Sequence, residues 1–145
     1  MIHLVKLCVG CDSIEELSAW QTQRLAAMSA AKQPQQLFHR TFQTPKRRED
    51  LLAGGSLYWV IKGLVQARQR VLDLREGTKD DGRACCLIVL EQELIPVRPV
   101  PRRPFQGWRY LEPADVPPDL AGGSGQSITE LPPAMRKELA ELGLL

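Results

Sequence analysis

The chain holds no run of about eighteen apolar residues, so no segment reads as a membrane-spanning helix. Residues 1–6 lack the apolar core and cleavage site of a secretory leader, and the expected location is cytoplasmic. There is no H-E-x-x-H, no G-x-S-x-G and no phosphate-binding P-loop. Gly122-Gly123-Ser124-Gly125 lacks the Lys and Ser/Thr that would make it one, and reads as linker. Histidines number two, His3 and His39, and no Ser-His-Asp arrangement is recognisable. Of four cysteines, Cys8 and Cys11 form a lone C-x-x-C, whereas a structural zinc site needs four ligands. Cys85 and Cys86 are adjacent on an expected strand, so they face opposite ways. The sequence calls for no metal and no cofactor, and no motif fixes a reaction.

The chain is 145 residues long, 43% hydrophobic and 25% charged. That fits one domain over residues 1–145 with a core of its own. The net charge of +2 is unevenly spread. Residues 40–109 carry fourteen Lys/Arg against eight Asp/Glu, and the rest carries five against nine. A basic middle between acidic ends suits an anionic partner, although an ordinary solvated surface has the same composition.

A strand is expected over residues 3–9. Ser13 then opens a helix to about Ala31, with Glu16 completing a capping box. Its stripe of Ile14, Leu17, Trp20, Leu25 and Met28 predicts that Trp20 is a core residue. A second strand follows over 37–42. A short helix is expected over 46–52, with Thr44 as N-cap and Gly54-Gly55 as its stop. Strands are expected over 57–62, 65–75 and 85–90, the last apolar enough to be buried on both faces. Residues 95–104 hold four prolines and belong at a sheet edge. Residues 113–126 read as a mobile loop before a C-terminal helix over 134–142.

Five of the eight aromatic residues fall in two blocks, Leu57-Tyr58-Trp59-Val60-Ile61-Lys62 and Phe105-Gln106-Gly107-Trp108-Arg109-Tyr110. Strand alternation puts Leu57, Trp59 and Ile61 on a core face, and Tyr58 and Lys62 on a half-exposed one. Arg68 and Arg70 share a face of the next strand, and Trp108 and Arg109 are placed to cap it. Aromatic rings among cations are the composition of a nucleotide site, where rings stack on a base and cations hold phosphate. Lys46 and Arg47, in the first turn of the short helix, would add anion contacts. The candidate ligand-binding set is therefore Tyr58, Lys62, Arg68, Arg70, Trp108, Arg109, Lys46 and Arg47. The competing reading makes the rings edge-of-core packing, covered by Lys and Arg stems.

The motifs Met1-Ile2-His3-Leu4-Val5-Lys6-Leu7-Cys8-Val9-Gly10, Thr44-Pro45-Lys46-Arg47, Gly55-Ser56-Leu57-Tyr58-Trp59-Val60-Ile61-Lys62-Gly63, Arg68-Gln69-Arg70 and Pro104-Phe105-Gln106-Gly107-Trp108-Arg109-Tyr110-Leu111 resemble domain of unknown function family 1489, a bacterial family. The resemblance covers nearly the whole chain and implies no particular activity. In architecture, a helix ending in glycine before an aromatic strand is similar to PUA-like domains, including the EVE and ASCH families. That likeness implies an α+β fold, a partly closed β-barrel with peripheral helices, binding RNA or a modified base. Some ASCH members are small amidohydrolases of modified nucleosides. That alternative would cast Lys62, buried beside Thr41, as a working residue. A third reading is a protein-interaction domain without a small ligand, using the proline-rich edge at Pro96 to Pro104 and the C-terminal helix.

Overall fold

The computed structural model describes residues 1–79, 81–103 and 105–120. Their elements are β1 (His3–Leu7), α1 (Ile14–Ala30), β2 (Leu37–Thr41), α2 (Arg48–Leu52), β3 (Ser56–Ile61), β4 (Leu64–Thr78), β5 (Ala84–Leu90), β6 (Ile95–Pro101) and β7 (Trp108–Leu111). The fold is mixed α+β, a seven-stranded sheet with two helices. The expected C-terminal helix lies outside the described residues.

β4 organises the sheet. Its first half is flanked by β3 and β6, and its second half pairs with β5, which pairs in turn with β2. β1 joins β3 in parallel and carries β7 antiparallel on its other side. The path β2-β5-β4-β3-β1-β7 is open: among the described residues no pairing joins β2 to β7. The partly closed barrel expected from the sequence is therefore not found among the described residues, whose sheet stays open. Register shifts in β4, between Val65 and Ala67 and between Val71 and Asp73, let so long a strand serve two neighbours in succession on one edge.

Local chemistry explains the punctuation. Ser13 caps α1 by accepting from the Glu16 N–H at 3.1 Å, while the Glu16 carboxylate accepts from the Asp12 N–H at 3.2 Å. Gly55 sits where a Cβ would lie 2.2 Å from the Ile2 carbonyl oxygen and 2.5 Å from that of Leu51, so backbone meets backbone and no side chain fits. Lys62 and Gly63 both have positive φ, 54° and 77°, and form the two-residue turn between β3 and β4. Lys62 is thus a turn residue and not the last residue of a strand face. α2 starts two residues later than expected, with Arg47 at its N-cap. Lys46 and Arg47 consequently precede the helix, and their N–H groups donate to the Tyr110 hydroxyl at 2.8 and 3.1 Å.

Both faces of the β3 region are covered. One carries Leu4, Leu57, Trp59, Ile61, Ala67 and Trp108 with α1. The other carries Val5, Tyr58, Val60, Val65, Val97 and Leu111, with Phe105 packed against it. Residues 113–120, the described part of the expected mobile loop, are tied to this second face. Asp119 bridges to Val97, and the Arg98 N–H donates to the Pro118 carbonyl at 2.8 Å.

Candidate functional site

The expected aromatic-cationic face does not assemble as one surface. Tyr58 is 3% exposed, edge-on to His3, and burial pushes its hydroxyl up to about 12. Trp108 is 6% exposed, and its indole N–H donates to the Gln43 carbonyl at 2.7 Å. Neither ring offers a face for stacking. Arg68 is held by both carboxylate oxygens of Asp119 at 2.7 and 2.8 Å, and donates to the Ser56 hydroxyl at 3.0 Å. Arg47 pairs with Asp50 and Glu112. The Lys62 amine is exposed at the turn, 3.5 Å from Asp12, so it is not the buried lysine that the hydrolase alternative requires. Arg70, Arg109 and Lys46 are exposed and have no carboxylate partner among the described residues.

A different set of residues converges beneath α1. The helix buries Ile14 and Leu17 and leaves Trp20 44% exposed, so its second half stands off the sheet. The space left is a cavity of about 210 Å³ between α1, the end of β1 and β2. Lys6, Cys8, Trp20, Gln21, Arg24, Phe38, His39 and Trp59 are among the residues lining it. Trp20, expected in the core, is a wall of this cavity.

Its electrostatics are set by two cations. Lys6, on the same face of β1 as Leu4, is half-buried and has no carboxylate partner among the described residues. Burial holds its amine below the ordinary lysine range. Arg24 donates to the Phe38 carbonyl at 3.1 Å and lies 5.9 Å from the Phe38 ring centroid. His39 stands edge-on to Trp59, with centroids 5.2 Å apart, and its Nε2 is buried without a hydrogen-bond partner among the described residues. Burial first, then the charges of Lys6 and Arg24, bring its pKa down to about 4, so it is neutral at pH 7. The Cys8 thiol is pushed up by burial and stays protonated, which makes it a poor nucleophile.

Part of the wall is a closed amide network. Gln69 is 0% exposed. Its Oε1 accepts from the Trp59 indole N–H at 2.9 Å and from Gln21 Nε2 at 2.7 Å. Its Nε2 donates to Gln21 Oε1 at 2.9 Å and to the Glu91 carbonyl at 3.0 Å. The network fixes the Trp59 ring and ties Gln21 of α1 to the sheet. The available sequence signal was Gln69 itself, an amide in the odd-numbered row Val65, Ala67, Gln69, Val71 that β4 buries.

The arrangement brings aromatic side chains, two cations and neutral hydrogen-bonding groups to the lining of one cavity. It holds no paired carboxylates or activated nucleophile. No curated protein matches the chain, and no solved structure does. Residues 4–145 match the model of a family described as protein of unknown function (DUF1489), and the chain belongs to that family.

Proposed function

We propose that this protein is a binding module for a nucleobase or nucleotide, and that the ring enters the cavity beneath α1. The observation that carries this reading is the pairing of Trp20, Trp59 and Phe38 with two cations, Lys6 and Arg24, that no described carboxylate neutralises. Lys6 is half-buried and Arg24 is exposed at the cavity mouth, so the pair can meet an incoming anion without giving up a partner. A volume of about 210 Å³ lies below the roughly 300–1,000 Å³ of drug-sized sites and suits one ring system. Neutral His39 and Gln21 supply groups that can face the edge of a base.

The test is a tryptophan-fluorescence and calorimetric titration with the four ribonucleoside monophosphates and with modified nucleosides. Lys6→Ala and Trp20→Ala are measured beside the wild type. Stacking is worth about 1–3 kcal/mol per base, so Trp20→Ala is expected to weaken binding roughly five- to hundredfold. Trp20 is exposed enough that this variant should keep its urea midpoint. Failure of every nucleotide and nucleoside to bind at millimolar concentration would sink the reading.

A further inference from the structure

The sequence between Glu93 and Glu112 contains no acidic residue and four arginines, Arg98, Arg102, Arg103 and Arg109. The topology puts this run in one place. In the half of the sheet ordered β6-β4-β3-β1-β7, β6 and β7 are the two outer strands. The link between them must cross from one edge to the other. It does so at the end where β1 and β3 finish: the Arg102 N–H donates to the Gly63 carbonyl at 2.8 Å, and Trp108 pairs with Lys6.

Phe105 is half-buried on the link, with the Arg102 and Arg109 guanidinium groups 5.4 and 5.7 Å from its ring centroid. None of the four arginines has a carboxylate within 4.0 Å among the described residues. The cavity beneath α1 opens on the opposite face from Phe105 but comes to this same end of the sheet at Cys8 and Val9, so a chain passing from the arginines to the cavity turns around the ends of β1 and β3. The Cys8 N–H donates to Val60 of the neighbouring strand at 2.9 Å, three residues before Gly63. A protein strand is a poor occupant here, because Pro96, Pro99 and Pro101 remove three donors from β6.

We infer that this end of the sheet carries a single strand of RNA, with phosphates on Arg102, Arg103 and Arg109 and one base directed into the cavity. The inference rests on the proposed base-binding role of that cavity. Guanidinium groups grip phosphate oxygens bidentately, and Phe105 holds the Arg102 and Arg109 groups side by side at the surface. A duplex hides its base faces, so the geometry selects a single strand.

The experiment is fluorescence anisotropy with a labelled uridine oligomer of about twelve nucleotides across a potassium chloride series. The same sequence annealed to its complement is titrated in parallel. Each phosphate contact on a single strand contributes about −0.7 to the slope of log affinity against log salt, so three contacts give about −2. The Arg102→Gln/Arg103→Gln/Arg109→Gln variant is expected to lose most of that slope while binding mononucleotides as the wild type does. An unchanged slope in this variant overturns the inference, as does duplex binding as tight as single-strand binding. Oligomer binding no tighter than mononucleotide binding also overturns it and leaves the cavity reading standing. Arginine-dependent oligomer binding without mononucleotide binding upholds the strand surface and removes the cavity's role.

Discussion

Replacing Gln69 by leucine tests how the cavity wall is built. The change puts an apolar side chain of similar size in place of a polar one at a position with no solvent exposure. If burial of hydrocarbon alone governed this region, exchanging an amide for leucine would stabilise the protein. The hydrogen-bond geometry argues the opposite. Gln69 is the acceptor for the Trp59 indole N–H at 2.9 Å, and Trp59 is 4% exposed. Leucine leaves that donor unpaired in the interior, at about 1–3 kcal/mol. It also strips the Glu91 carbonyl of its 3.0 Å donor and releases both bonds to Gln21. Gln21 reaches water, so its loss is largely recovered. The added apolar burial returns part of the indole cost, and a net destabilisation of about 1–3 kcal/mol is expected.

The assay is equilibrium urea denaturation followed by tryptophan fluorescence, comparing midpoints at a common m-value. Gln69→Met, which fills the same length without an acceptor for the indole, should fall beside Gln69→Leu. Either variant matching or exceeding the wild type would refute the claim that the amide network holds Trp59 in place.

Two further outcomes follow from the same geometry. His39 binds its proton less readily when folded, at about 4 against 6.5, so its contribution is complete above pH 6.5 and is lost as pH falls towards 4, by up to about 3 kcal/mol. His3 is also lowered, by burial first, so the check is urea stability against pH for His39→Gln beside wild type; equal slopes between pH 6.5 and 4 would contradict it. Lys62→Asn should stabilise the protein by about 0.5–1 kcal/mol, because asparagine tolerates the left-handed backbone at φ 54° and the exposed Asp12 pair is worth little. A lower urea midpoint in that variant would count against the turn assignment.

Much of the fold was legible. The capping box at Ser13, the glycine stop after α2, the proline-bearing outer strand and the doubly buried β5 all stand close to where local chemistry puts them. The site was less legible, for a specific reason. Alternation says which residues of β3 share a face; it does not say whether that face is covered. Leu57 to Ile61 is an unbroken apolar run, as β5 is, and the rule that buries both faces of β5 applies equally here. Phe105, Val97 and Val65 come from three other segments to cover Tyr58, and no local pattern announces their arrival. Arg68 was misread for a similar cause, since its partner Asp119 lies 51 residues away, in a stretch read as a mobile loop.

The cavity itself follows from conflicts that sequence periodicity cannot display. The stripe on α1 asks for five buried residues, but the sheet receives only the first two fully. β4 turns from its β3 and β6 partners to β5, which brings β2 to the far side of α1. The gap between β1 and β2 stays open because polar side chains stand where filling would need apolar ones. Lys6 occupies the position on β1 that would extend Leu4, and behind the lining Gln69 holds Gln21 and Trp59 in the amide network. Lys6→Leu would favour stability in the way the rest of this core does. Lys6 instead holds a half-buried amine whose charged form is disfavoured by burial. An anion placed beside it favours that charged form, so ligand binding and Lys6 protonation reinforce each other. A residue costly to the free protein, which the proposed anion would match, is the pattern expected where function, rather than folding, selected the side chain.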